Sequence, residues 1–157
     1  MQWPEPVERV AATLRRAAVD ARLEEFSAGT PTAEAAARAI GCELAQVVKS
    51  IVFVCDGRFV LALVPGNRRA DVGKVARAAD ATAARIASAE EVATATGFEA
   101  GAVAPFPVSH VERVLLERSL LGWEVVWIGA GSTRHMAGLA PPDLMRLAQA
   151  EPHDLAS

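Results

Sequence analysis

The chain has 157 residues and a formal net charge of −3 at pH 7; 52% of its residues are hydrophobic and 22% are charged. This length suits one domain with its own core, and the composition is typical of a globular protein. The negative charge argues against a protein that coats nucleic acid along a basic face, and no apolar run approaches the roughly 20 residues of a membrane-spanning helix. Because the N-terminus also lacks a secretory signal, we expect a cytoplasmic protein with no membrane contact.

Cysteine and histidine are sparse, which bears on metals and cofactors. Cys42 and Cys55 lie too far apart for a CxxC pair, and the three histidines show no zinc-ligand spacing. We expect both cysteines to be buried. The glycines of "GAGS" lack the spacing of either common phosphate-binding motif. We therefore expect neither a metal nor a cofactor.

The first elements along the chain are two helices. Apolar residues recur at the spacing of one helical face from Pro4 to about Val19. The segment "GTPTAEAAARAIG" offers a threonine cap, a proline in the first turn and a glycine stop. It predicts a second helix over about 31–40.

A β-hairpin follows. The runs 47–55 and 58–64 are rich in β-branched and aromatic residues and are separated by Asp56-Gly57. This dipeptide favours a two-residue hairpin turn, because both central positions need positive φ. The turn fixes the register and sets Lys49 opposite Val64.

The next segment is predicted to contain two helices around a short strand. Asp71 can cap a helix that runs to about Ala79, and "ARIAS" resembles a short strand. Ser88 begins a capping-box pattern, which opens a helix that Gly97 ends.

The remaining elements follow a shaped loop at 97–108, which contains glycines and prolines. We predict strands at about 113–117 and 123–129, a turn at "GAGS", a short strand near 135–139, and a helix opened by Pro141-Pro142. Hairpins combined with helical crossovers predict an α+β fold, with helices packed on a mixed sheet.

Lys49 interrupts the otherwise apolar run "VVKSIVFV". Alternate side chains of a strand share a face, and here both faces are apolar. A buried ammonium is costly unless an anion or carbonyl oxygen meets it, so Lys49 is either held inside for a purpose or extends from the strand end into water.

Five segments, in order and spacing, resemble the YbaK/ProX aminoacyl-tRNA deacylase family of prolyl-tRNA synthetase-associated editing domains. They are "TPTAEAAARAIGCELAQVVKSIVF", "GRFVLALVPGNRRAD", "TGFEAGAVAPF", "ERSLLGWEVVWIGAG" and "LAPPDL", and they run from about Thr30 to Leu147. The resemblance implies a barrel-like mixed sheet surrounded by helices. It also implies a single domain over 1–157, with residues 1–26 as an N-terminal helix packed on it.

The resemblance further implies a hydrolase that removes a wrong amino acid from tRNA. The family's lysine matches Lys49, its Gly-x-x-x-Pro loop matches Gly101 to Pro105, and its glycine turn matches Gly129 to Gly131. This chain differs from relatives at Ala102 and Pro107, and also at Gly129, a position at which many relatives carry serine.

The implied partners are the 3′ end of an aminoacyl-tRNA and, as a candidate, a prolyl-tRNA synthetase. No DNA is expected, and we expect a monomer or a weak homodimer.

No serine lies in a GxSxG elbow, which disfavours a Ser-His-Asp mechanism and favours hydrolysis assisted by the substrate's own ribose hydroxyl. The candidate catalytic residues are Lys49, Gly101 and Ser50. The candidate substrate-binding residues are Ala102, Val103, Ala104, Pro105, Gly129, Gly131 and His135. The candidate tRNA-binding residues are Arg68, Arg69 and Lys74.

Each of these assignments has an alternative. Ser50 can bond its own backbone, His135 can be a surface residue, and the basic residues from Arg68 to Arg77 can be a solvated helix start.

The small loop residues favour a tight pocket for alanine, cysteine or serine, and the resemblance points to a proline-accepting tRNA. The rival functions are a non-catalytic module that binds aminoacyl-tRNA or a nucleotide-like ligand, and a small-molecule esterase.

Overall fold

The computed structural model describes residues 3–157 and contains five α-helices and eight β-strands. The helices are α1 (Glu5–Arg16), α2 (Ala33–Ile40), α3 (Val72–Ala78), α4 (Ala89–Thr96) and α5 (Pro141–Ala148). The strands are β1 (Arg22–Glu25), β2 (Val48–Cys55), β3 (Arg58–Pro65), β4 (Ala84–Ile86), β5 (Arg113–Glu117), β6 (Val126–Ser132), β7 (His135–Leu139) and β8 (Ala150–His153). Two 3-10 turns cover Leu44–Gln46 and Arg118–Gly122.

The predicted helix caps are confirmed. The Thr32 side chain accepts a hydrogen bond from the Ala35 N–H at the start of α2. Ser88 and Glu91 form a reciprocal capping box at the start of α4. Both helices end at a glycine in the left-handed conformation, as the sequence predicted. Short polar side chains and glycines therefore define these helix boundaries.

The β2–β3 hairpin has the predicted register. Phe53 faces Val60, and Lys49 faces Val64. The hairpin occupies the middle of a five-stranded sheet with the order β4-β2-β3-β5-β8, in which β5 pairs in parallel with β3 and with β8. The sheet is mixed, which confirms the α+β class.

The remaining strands form a separate antiparallel sheet with the order β1-β7-β6. Between the described strands of the two sheets, the one backbone bridge joins Val47 to Trp127. The barrel-like sheet implied by the resemblance is therefore corrected to two packed sheets with no closed barrel.

Three other expectations also need correction. Residues 1–26 are not simply a helix, because α1 ends at Arg16 and is followed by β1; Met1 and Gln2 lie outside the described residues. The predicted "GAGS" turn lies inside β6, where a bulge falls between Gly129 and Ser132. Strands β1 and β8 were missed, because "RLEE" and "AEPH" carry little β-forming signal.

The hairpin is covered on both faces. Leu61 and Leu63 of β3 belong to the core shared with the three-stranded sheet, whereas the alternate residues Val60, Ala62 and Val64 pack with α3 and the C-terminal Leu155. A third cluster joins α2 to β6 and β7. The sequence pattern around Lys49 predicted that both faces of the hairpin are apolar, and this is confirmed. Contrary to expectation, Cys42 is only partly buried, whereas Cys55 is buried.

Helix α1 packs on β6 through a contact that only glycine permits. Gly131 has φ +101°, and a Cβ atom there would lie 2.8 Å from the Pro6 carbonyl oxygen. The apolar stripe of α1, formed by Val7, Val10 and Leu14, is buried above it. No described helix is both long and apolar enough to cross a membrane.

We predict that Gly131→Ala lowers the free energy of unfolding by about 1–3 kcal/mol, because it adds backbone strain and displaces α1. Urea unfolding monitored by circular dichroism measures the change. Gly122→Ala is the control, since nothing lies within 4 Å of its Cβ position, and it should stay within about 0.5 kcal/mol of the wild type. Equal stability of the two variants would contradict the proposed contact.

Candidate functional site

A cavity of about 170 Å³ lies between the two sheets, beside the first turn of α2. The start of β2, the β6–β7 hairpin and the loop at 101–103 form the other walls. Its lining residues are Thr30, Pro31, Thr32, Ala33, Ala36, Val47, Val48, Lys49, Ser50, Gly101, Val103, Gly129, Ser132 and Met136. Five residues predicted as site residues, namely Lys49, Ser50, Gly101, Val103 and Gly129, thus line one cavity.

Lys49 is held inside by a carbonyl oxygen. Its Nζ donates a hydrogen bond of 2.6 Å to the Arg68 main-chain oxygen, and the contact is partly buried. Burial lowers the pKa of Lys49 from 10.5; the Arg69 charge lowers it further, whereas Glu34 raises it. An ammonium carries three donors, and one is used within the described chain. The others can serve a ligand in the cavity.

Ser50 offers a second unused polar group. Its Oγ is buried and has no hydrogen-bond partner among residues 3–157. The alternative in which Ser50 bonds its own backbone is therefore not found. A buried hydroxyl without a partner destabilises the folded protein by about 1–3 kcal/mol. A polar ligand atom that forms a hydrogen bond with Ser50 in the cavity would remove this destabilisation.

The loop from Gly101 to Pro105 reaches the cavity because β6 carries a glycine where the loop crosses it. A Cβ atom on Gly129 would lie 2.8 Å from the Val103 carbonyl oxygen. Gly101 has φ +87°, a conformation that favours glycine. The loop is therefore shaped at two points by the absence of a side chain.

The other predicted substrate-binding residues of the loop and of β6 lie away from the cavity. Ala102 and Gly131 border a neighbouring hollow beside the start of α1. Ala104 is fully buried. Pro105 borders a third hollow, near the end of α5. Of the five loop residues, Gly101 and Val103 therefore line the cavity, and the other three do not.

Sequence reasoning named His135 as a substrate-binding residue but missed its pairing with Ser132, which lines the cavity. The Ser132 Oγ lies 2.6 Å from Nδ1 of His135 and accepts a hydrogen bond from the Arg134 N–H. His135 is 3% exposed, so the alternative of a surface histidine is wrong. Burial lowers its pKa; the Glu25 charge opposes this shift, and the Arg134 charge adds to it. The missed signal was the two-residue connection between β6 and β7, which places these residues opposite each other.

His135 is not itself among the residues that line the cavity, so it can influence a ligand there through Ser132. Within residues 3–157, no carboxylate forms a hydrogen bond with the imidazole, and a complete Ser-His-Asp set is not found in this part of the chain. The same range contains no group of three His, Cys, Asp or Glu side chains that could hold a metal.

Two of the three predicted tRNA-binding cations are engaged within the protein. The Arg68 guanidinium contacts Glu117 and the main-chain oxygens of Ala156 and Ser157. Lys74 contacts Asp154 and the Ala156 oxygen. Arg69 is exposed. Of the three, Arg69 is the cation best placed to meet a phosphate group.

Comparisons with known proteins identify the family and the fold. The profile of a family described as the aminoacyl-tRNA editing domain matches residues 27–147. The chain is 34% identical to "Uncharacterized protein YwhH" of Bacillus subtilis, over 78% of each chain. It is also 32% identical to a proline–tRNA ligase of Nitratidesulfovibrio vulgaris, over 78% of this chain but only 22% of the ligase.

A solved structure is similar over nearly the whole chain. It is described as a "putative trans-editing enzyme for prolyl tRNA synthetase" and is 34% identical to this chain. The two superpose with a TM-score of 0.90 over 99% of each chain. The fold and its length are therefore shared.

We predict that Gly129→Ala displaces the Gly101–Pro105 loop, because its methyl group would overlap the Val103 carbonyl oxygen. Amide signals of the loop in ¹H–¹⁵N spectra should shift, and stability should fall by about 1–3 kcal/mol. Gly122→Ala, which adds a methyl group in open space, should leave the loop signals in place. Unchanged loop signals in Gly129→Ala would refute this close approach.

Proposed function

The chain belongs to the aminoacyl-tRNA editing domain family, and from this premise we propose that it is a trans-acting aminoacyl-tRNA deacylase. It hydrolyses the ester between a small amino acid and its tRNA. The observation that carries this proposal is the half-buried Lys49 ammonium at the wall of a small cavity. Only one of its N–H donors is used within the described chain. Action in trans is supported by the 99% mutual coverage with a structure described as a trans-editing enzyme.

The cavity supports a small aminoacyl group. Its volume is about 170 Å³, and Val103, Gly129 and Met136 form part of the wall. Alanine, cysteine and serine are the candidates. Editing by size has a physical basis, since a synthetase pocket cannot by binding alone reject an amino acid smaller than its own. The similarity to proline–tRNA ligases supports proline tRNA as the acceptor.

Lys49 supplies the positive charge that holds the end of the tRNA. Its free N–H donors bind a phosphate or carbonyl oxygen of the aminoacyl-adenosine, and the low local dielectric strengthens this contact. Ser50 donates its hydroxyl to the same ligand. The first turn of α2 borders the cavity with its positive end, which also favours a negative group there.

The loop supplies the electrostatic stabilisation of the reaction. The Ala102 N–H already donates to the Glu99 carbonyl oxygen. We therefore assign the polarising role to the N–H groups of Gly101 and Val103, the two loop residues that line the cavity. Water forms a bond to the ester carbonyl carbon, the bond from that carbon to the esterified ribose oxygen breaks, and a proton from the water ends on that ribose oxygen. The products are a free amino acid and a tRNA with a free ribose hydroxyl. The neighbouring ribose hydroxyl, which was not esterified, positions the water.

The tRNA contacts beyond the ester follow from charge and exposure. Arg69 meets a backbone phosphate, while the charges of Arg68 and Lys74 are largely offset by Glu117 and Asp154. The protein acts in the cytoplasm on charged tRNA, as a single domain over 1–157 and as a monomer or weak homodimer. A prolyl-tRNA synthetase is the candidate partner, since it is the source of the mischarged product.

We predict that Lys49→Ala lowers kcat/KM for deacylation by about 10²-fold or more, because a preorganised charge at the reacting end is lost. Purified protein is incubated with proline tRNA charged with alanine, cysteine, serine or proline, and the remaining ester is counted. Arg58→Ala is the matched control, since this cation lies at the opposite end of the same hairpin. It should retain the wild-type rate.

The same assay separates the rival functions. Tight binding of charged tRNA with no ester loss would identify a non-catalytic binding module. Cleavage of simple esters with indifference to tRNA would identify a small-molecule esterase. A Lys49→Ala variant as active as the wild type would overturn the role of the lysine.

We predict that Ser132 forms no acyl-enzyme, because its Oγ is already held by the Arg134 N–H and no described carboxylate orients His135. Intact-mass spectra recorded during turnover should show no acyl adduct, and rapid-quench kinetics should show no burst. Ser132→Ala should lose less activity than Lys49→Ala. An adduct on Ser132, together with an inactive Ser132→Ala variant, would instead establish a covalent mechanism.

A further inference from the structure

We propose that Glu117 and Arg68 are positioning residues for Lys49, and that they act through the last residues of the chain. This inference rests on the proposed function. The segment Asp154–Ser157, here named the C-terminal strap, contacts the loop that follows β3. That loop carries the carbonyl oxygen that holds the lysine.

The strap is built into the protein. Leu155 and Ala156 have no exposed surface. The Asp71 N–H donates to the Leu155 oxygen, and the Ser157 N–H donates to the Arg69 oxygen. An isolated bridge pairs Ala70 with Ala156. The loop after β3 is therefore paired with the strap as in a short antiparallel ladder.

Glu117 is the buried anchor of this arrangement. It is 1% exposed, and its carboxylate accepts hydrogen bonds from the N–H groups of Ser119 and Leu155. Burial raises the pKa of this carboxyl, but the hydrogen bonds and the Arg68 charge outweigh burial and lower it below 4.5 overall. Glu117 is thus a buried charge at the end of β5, and its partners come from the following 3-10 turn, the strap and Arg68.

Arg68 connects the anchor to the lysine. Its guanidinium reaches Glu117 at 3.4 Å, the Ala156 oxygen at 3.1 Å and the Ser157 oxygen at 3.2 Å. The carbonyl group of the same residue accepts the Lys49 hydrogen bond. The three contacts fix the guanidinium, and the side chain tethers this fixed group to the main chain that carries the carbonyl oxygen. A displacement of about 1 Å at such a site can cost about 10²-fold in rate.

The chain offers a matched control. Arg58 and Glu112 form an exposed ion pair of the same residue types, and it joins the other end of β3 to the residue before β5. Neither member contacts the strap. Arg58→Met and Glu112→Gln therefore report the effect of losing an arginine–glutamate pair in this fold without touching the lysine.

The experiment uses the fact that Lys49 and Lys74 are the two lysines in the sequence. Full-length protein labelled with ¹³C,¹⁵N-lysine gives one set of side-chain signals for each residue. Arg68→Met and Glu117→Gln are compared with the two controls by circular dichroism, lysine NMR and deacylation kinetics. Arg68→Met keeps Glu117 bonded to two backbone N–H groups, so it tests the inference even if Glu117→Gln fails to fold.

We expect folded Arg68→Met to show Lys49 signals that move toward those of a solvated lysine and a kcat/KM at least about tenfold below the wild type. Arg68→Lys, which keeps the charge but lacks the fork, should recover only part of this loss. The controls should match the wild type in both measurements. Unchanged Lys49 signals, or shifted signals with an unchanged rate, would overturn the positioning role.

Failure of the proposed function has a different signature. If the wild type hydrolyses no charged tRNA, the deacylase proposal fails, whatever the variants do. The lysine spectra then still decide whether Glu117 and Arg68 hold Lys49 in place. Shifted Lys49 signals in Arg68→Met would support the structural link, and unchanged signals would refute it.

Discussion

The site depends on one contact, the hydrogen bond from the Lys49 ammonium to the main-chain oxygen of Arg68. A charged group between two apolar faces of a strand needs a partner, and a backbone carbonyl supplies one without neutralising the charge. A carboxylate in its place would have formed a closed ion pair. Because the partner is neutral, the contact leaves the charge of Lys49 and its remaining donors unused.

The local elements around this contact were predictable from sequence. The dipeptide Asp56-Gly57 specified the turn, the turn specified the register, and the register placed Lys49 beside the loop after β3. Threonine and serine caps with glycine stops defined α2 and α4. Each of these features depends on a few neighbouring residues, and such signals are readable in one sequence without tertiary information.

Features that depend on distant residues were not predictable. The division of the strands into two sheets is set by packing between segments far apart in the chain, and so is the link between Glu117 and Leu155. The pair Ser132 and His135 needed the true β6–β7 turn at 133–134, whereas the glycine-rich pattern had placed the turn at "GAGS". Of the loop at 101–105, the resemblance identified the segment but not which residues face the cavity.

The placement of the cavity between two sheets has a further consequence. One wall comes from β2 and the other from β6 and β7, and the backbone of these walls meets at the bridge of Val47 and Trp127. The spacing of the walls is therefore governed by interdigitated side chains such as Val52 and Ile128, which lie in the shared core. The size of the cavity is then partly a property of the hydrophobic interior, where the gain or loss of a single methylene group would resize a recess that it never touches.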